Sequence, residues 1–95
     1  MDSKKNPIVY SNRIDKECSI LVPNVSRLIM LHFSVEKGDA QIYFGGVGVE
    51  PSLKLYPNIR WNQRVSPIEI PEIFIRRYNS KEFIIWLNME RVGQY

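Results

Sequence analysis

Apolar and β-branched residues fall in short segments along the chain. The segments are 7–10, 18–22, 27–34, 40–44, 53–56, 65–70, 73–78 and 82–89, and clusters of Pro, Gly, Asn, Asp and Ser separate them. In Ala40-Gln41-Ile42-Tyr43-Phe44 the faces alternate, with Ala40, Ile42 and Phe44 on one side and Gln41 and Tyr43 on the other. Gly45-Gly46 and then Glu50-Pro51 follow, as at a strand end that turns tightly. No window keeps apolar residues at i, i+3, i+4 and i+7 while avoiding Pro and Gly, so helices are not expected. Pro71-Glu72-Ile73 is read as a corner between strands. Seven to eight short strands with frequent turn signals predict an all-β domain, a small antiparallel β-sandwich or jelly roll, or a barrel.

Two segments break the alternation. Arg27 to Phe33 and Phe83-Ile84-Ile85-Trp86-Leu87 are apolar on both faces. A half-buried antiparallel strand shows one polar face, so something must cover the second one. A partner subunit and the chain's own loops are equally good covers. This makes Phe83, Ile84, Ile85, Trp86 and Leu87 candidates for a subunit interface. The first 16 residues are mostly polar and read as an arm, leaving 17–95 as one β domain.

Composition changes this picture little. Among 95 residues, 44% are hydrophobic and 24% charged, which suits a folded domain. Thirteen Lys and Arg against ten Asp and Glu leave a charge of +3, spread along the chain, which favours a solvated surface over a nucleic-acid patch. The lone Cys18 precedes an apolar run and reads as an inert thiol outside any disulfide framework. There is no signal-peptide pattern and no run long enough to cross a bilayer, so synthesis in the cytoplasm and no membrane partner are expected.

Candidate chemistry is thin. One histidine, His32, and one cysteine offer no metal-ligand spacing and no nucleophile–base pair. No enzyme, no cofactor and no metal are therefore expected. Gly45-Gly46-Val47-Gly48 is followed by neither a helix nor a Lys-Ser/Thr pair, which removes a phosphate-loop reading. Arg60-Trp61-Asn62-Gln63-Arg64 is the best local contact motif. A tryptophan between arginines suits a protein interface, stacked bases, or a plug beneath a loop.

In this order, these pieces resemble a family of small bacteriophage virion proteins. The likeness lies in Arg27 to Phe33, Ala40 to Gly46 with its Ile-Tyr-x-Gly-Gly end, Val49-Glu50-Pro51-Ser52, Pro57, and the three later segments. It spans roughly residues 18–89. The family turn often carries Pro-Gly, where this chain has Pro57-Asn58 and then Ile59-Arg60-Trp61. The resemblance implies a non-enzymatic structural protein in the virion, a capsid decoration or a head- or tail-fibre-associated module. It would act by self-association, a trimer being favoured, and by docking on capsid or tail proteins. Tyr10, Tyr43, Arg60, Trp61 and Arg64 are the expected contacts. An OB-like nucleic-acid-binding barrel, with Tyr43, Trp61 and the basic residues on one face, and a small phage inhibitor of a host protein remain alternatives.

Overall fold

The structure, a computed structural model, describes residues 8–92. Eight strands follow one another: β1 Ile8–Ile14, β2 Cys18–Leu21, β3 Leu28–Lys37, β4 Ala40–Phe44, β5 Ser52–Leu55, β6 Arg60–Val65, β7 Glu72–Arg77 and β8 Ile84–Val92. They form two four-stranded antiparallel sheets, ordered β1-β8-β3-β6 and β2-β7-β4-β5. The pairs β1–β8, β2–β7, β3–β6 and β4–β5 nest one inside the next. A long ribbon folded back on itself in this way is a jelly roll. Two open sheets stand where a barrel would have one closed sheet.

Period-2 alternation builds the core. Ile29, Leu31, Phe33 and Val35 on β3 and Ile85, Leu87 and Met89 on β8 face Ala40 and Ile42 on β4 and Ile73 and Ile75 on β7, all buried. Fully burying one such aliphatic side chain contributes about 1.5–3 kcal/mol. Two of the turns depend on left-handed backbone. Gly38 joins β3 to β4 at φ 70°, and a Cβ there would stand 2.0 Å from the carbonyl oxygen of Glu82. Asn58 takes φ 69° after Pro57, and the amide of Ile59 donates to the carbonyl of Tyr56 at 3.3 Å. Asn58 therefore fills the positive-φ position that glycine holds in a Pro-Gly turn.

Three sequence expectations are corrected. The arm expected over 1–16 is, from Ile8 to Ile14, an edge strand paired with β8, and Ile14 belongs to the core; residues 1–7 lie outside the described residues. The strand expected over 65–70 ends at Val65, because Ser66-Pro67-Ile68-Glu69 turns, with the amides of Glu69 and Ile70 donating to the carbonyl of Ser66. Its place is taken by Arg60–Val65, which pairs with β3. Finally, Phe83, Ile85 and Leu87 are core residues, 3%, 0% and 0% exposed, so they cannot meet a subunit. Of that run, only Ile84 and Trp86 point outward.

Candidate binding surfaces

The outer face of the β1-β8-β3-β6 sheet carries polar residues at every second position of strands whose other face is core. Register aligns them in rows. His32 on β3 stands between Asn62 on β6 and Asn88 on β8, and Asn88 faces Ser11 on β1. The next row runs Arg60, Ser34, Trp86, Arg13, and on the other side Arg64, Met30, Glu90, Ile8. Side chains stitch the rows together. His32 Nδ1 lies 2.8 Å from Asn62 Oδ1, and His32 Nε2 lies 2.5 Å from Glu90 Oε1. Since a carboxylate only accepts, Glu90 places a proton on Nε2 and so orients the ring. Ser11 Oγ donates to Asn88 Oδ1 at 2.6 Å, and Trp86 Nε1 to Glu36 Oε1 at 2.8 Å. An open basin of about 590 Å³ lies over this face.

The expected contact residues do not converge there. Arg60 and Arg64 do point outward from β6, but Trp61 sits opposite Phe33 on the other face of the strand, exposed only because β6 is an edge. Tyr43 is 4% exposed: it packs beside Phe74 with ring centroids 6.1 Å apart, and the Arg76 guanidinium lies 5.4 Å from its ring centre. The long Arg76 side chain lies over the Tyr43 ring, and the buried Tyr43 is no contact for a partner. Tyr10 packs against the core and meets Asn12 through its hydroxyl. The arrangement required of a nucleic-acid barrel, with Tyr43, Trp61 and the basic residues on one face, is absent. Trp86 is the aromatic residue that shares a face with Arg60, and the contact motif gave no hint of it.

The two ends of the sandwich differ in chemistry. At one end the β2–β3, β4–β5 and β6–β7 loops meet. The amide of Val22 donates to the carbonyl of Pro71 at 2.9 Å, that of Gly45 to Glu72 at 3.0 Å, and the fully buried Ser26 Oγ to Val92 at 2.8 Å. These loops, with the end of β2, hold Leu21, Val25, Val47, Val49 and Ile68 in solvent, Leu21 and Ile68 at 74% exposure. Only Arg27, Glu50 and Glu69 are charged in them. At the opposite end, Arg13 pairs with Asp15 and Lys37 with Glu82. Asp39 Oδ1 there accepts from the amides of Asn79 and Ser80. Partial burial pulls the Asp39 carboxyl upward, but these bonds and the Ser80 hydroxyl outweigh it and hold its pKa below the usual value. Exposed apolar surface at this end is mainly Tyr56, Ile59 and Tyr78.

Among the described residues, no group of three His, Cys, Asp or Glu could hold a metal ion. Cys18 is half-buried, and burial pushes its thiol pKa up, away from the reactive thiolate. Among the described residues, no helix is long and apolar enough to cross a membrane. Comparison with known protein families, with curated proteins and with solved structures gives no match.

Proposed function

We propose that the protein is a non-enzymatic structural component of a bacteriophage particle that attaches through its apolar loop end, to other copies of itself and to neighbouring capsid or tail subunits. The observation that carries this reading is the opposed chemistry of the two ends. Five large apolar side chains are held in solvent at one end, while ion pairs and carboxylate hydrogen bonds occupy the other. Clustered exposed apolar surface on a small soluble domain marks a place of contact. Inter-loop hydrogen bonds tie this cluster to the sheets, so little ordering entropy is lost when it docks. The charged end faces solvent on the assembled particle. On a repeating lattice, weak contacts of this kind add up through effective concentration. The jelly-roll pairing and the order of the Ile42-Tyr43-Phe44-Gly45-Gly46 and Val49-to-Ser52 segments support a virion role.

Sedimentation velocity of the full chain across a concentration series tests the proposal. The wild-type protein is expected to assemble, with three chains as the favoured species. A Leu21→Lys, Ile68→Lys variant is expected to stay folded and monomeric, since both side chains lie in solvent. A wild-type protein that stays monomeric at every concentration, or a variant that assembles as well as wild type, overturns the reading.

A further inference from the structure

The basin over the β1-β8-β3-β6 face has no part in end-on docking, and its chemistry is of another kind. We infer that it is a glycan-binding site, in which a pyranose ring stacks on Trp86 while its hydroxyls are read by Asn62, Asn88, Glu90 and Arg60. A pyranose presents a face of C–H groups and an edge of hydroxyls, each of which both donates and accepts. It therefore needs an aromatic platform beside planar polar groups of both kinds, already oriented.

The basin supplies each of these. Trp86 is 42% exposed, lines the basin and is pinned at its Nε1 by Glu36, so the indole keeps its orientation. Asn62 uses one end of its side-chain amide on His32 and Glu90 one oxygen, and Asn88 uses its oxygen on Ser11. The other end of the Asn62 amide, the amide nitrogen of Asn88 and the second oxygen of Glu90 have no partner among the described residues. At least one donor and one acceptor thus point from fixed positions, with His32 as the strut that holds Asn62 and Glu90 apart. Arg60 lines the same basin without an acidic partner among the described residues, one row from the His32 row and on the row of Trp86. Its guanidinium is placed to take a sugar hydroxyl or the carboxylate of an acidic sugar.

A different arrangement of the same residue types would not do this. Alternation along β8 places Trp86, Asn88 and Glu90 on one face, and the β3 register brings His32 and Ser34 alongside. The strands are the most tightly held part of the sheet, because β8 and β3 are its two central members. A site on rigid strands loses little entropy when it binds.

The test uses soluble full-length protein, so it reads separately from the docking proposal. Trp61→Phe leaves Trp86 as the sole tryptophan, and its emission reports occupancy. This variant is titrated with neutral oligosaccharides (glucose, mannose and N-acetylglucosamine oligomers) and with acidic ones (oligouronates and sialylated glycans). At least one glycan is expected to shift the emission saturably. Backbone amide shifts in an NMR titration are expected to map to β3, β6 and β8 for the same glycan. The NMR binding signal is expected to disappear in Trp86→Ala. Asn62→Ala and Asn88→Ala are expected to weaken binding by roughly tenfold each, the scale of one hydrogen bond, with folding checked by thermal melting. Arg60→Gln separates two sources of affinity. A loss confined to acidic glycans gives Arg60 a carboxylate to hold, and an equal loss for both gives it a hydroxyl; either supports the site. The inference is overturned if no glycan in either set binds, or if binding survives Trp86→Ala in folded protein.

Discussion

Gly38→Ala tests the turn that locks the charged end. Gly38 sits at φ 70°, and a Cβ there would lie 2.0 Å from the Glu82 carbonyl oxygen and 2.7 Å from Ser80 Oγ. Left-handed backbone alone costs a non-glycine residue about 1–2 kcal/mol. The 2.0 Å approach is to backbone, so the β7–β8 loop must retreat by about 1.5 Å to reach an ordinary contact. That retreat pulls Asn79 and Ser80 away from Asp39, which accepts from both amides and donates its own amide to Ser80 Oγ at 3.0 Å. Weakening these bonds, one exposed and two partly buried, adds about 1–2 kcal/mol in total. The sum is about 2–4 kcal/mol, a large share of the stability of a domain this size. Gly48→Ala is the control: Gly48 also has positive φ, at 80°, but an added Cβ meets nothing within 4 Å. It should lose only the backbone part, about 1–2 kcal/mol. Urea unfolding of both variants, read as a shift in midpoint at unchanged slope, measures the gap. If Gly38→Ala loses no more than Gly48→Ala, the close approach of the two loops is wrong.

Further expectations concern the core, the carboxylate and one buried hydroxyl. Leu87→Ala should cost about 2–5 kcal/mol, as for a core cavity, with a loss relative to wild type that is the same at every protein concentration; a concentration-dependent loss would return Leu87 to an interface. Asp39 has a depressed folded pKa, so its contribution is present above the unfolded value near 4 and disappears as pH falls through the lower folded value. Asp39→Asn should therefore be less stable than wild type at neutral pH, and the gap should close in melts run below about pH 4. A constant gap from pH 7 to pH 2 would contradict the assignment. Ser26→Ala removes the donor to the Val92 carbonyl in a fully buried spot and should lower stability by about 1–2 kcal/mol in chemical denaturation; a neutral effect would mean the bond contributes nothing.

The strands with a strong apolar face were legible because alternation and turn chemistry agreed, as in Ala40–Phe44 and its glycine turn. β6 was missed for a physical reason. An edge strand keeps only one half-covered face, and Arg60-Trp61-Asn62-Gln63-Arg64-Val65 shows a single buried residue, Val65. The β-branched Val65-to-Ile70 segment competed with it on composition, and Pro67 decided for a turn. β3 and β8 were judged apolar on both faces, which hid the polar half of each strand. His32, Ser34 and Glu36, and likewise Asn88 and Glu90, recur at alternate positions towards the strand ends, and that was the available signal for an outward polar face. Which of those residues would become neighbours was out of reach. Rows such as Ser11-Asn88-His32-Asn62 join positions up to 77 residues apart, and only the register of four strands brings them together. Trp61 and Trp86 illustrate the same limit: the one flanked by arginines in sequence has none beside it on its own face of the strand, while the other meets Arg60 through the fold.

The nested pairing of strands also governs how this chain comes to be folded. Its first described strand, β1, hydrogen-bonds only to its last, β8, and β8 lies between β1 and β3. While a ribosome still holds residues 84–92, the sheet that bears the polar rows lacks the strand that joins its two halves. β3 and β6 can pair during synthesis, but β1 must wait with its ladder unmade, an open edge for non-native pairing. Formation of this sheet thus waits until residues 84–92 have left the ribosome and is governed by long-range closure, of the slow kind typical of β-sandwiches. Loss of β8 would deprive both halves of the sheet of their common neighbour and would leave no smaller version of the basin behind.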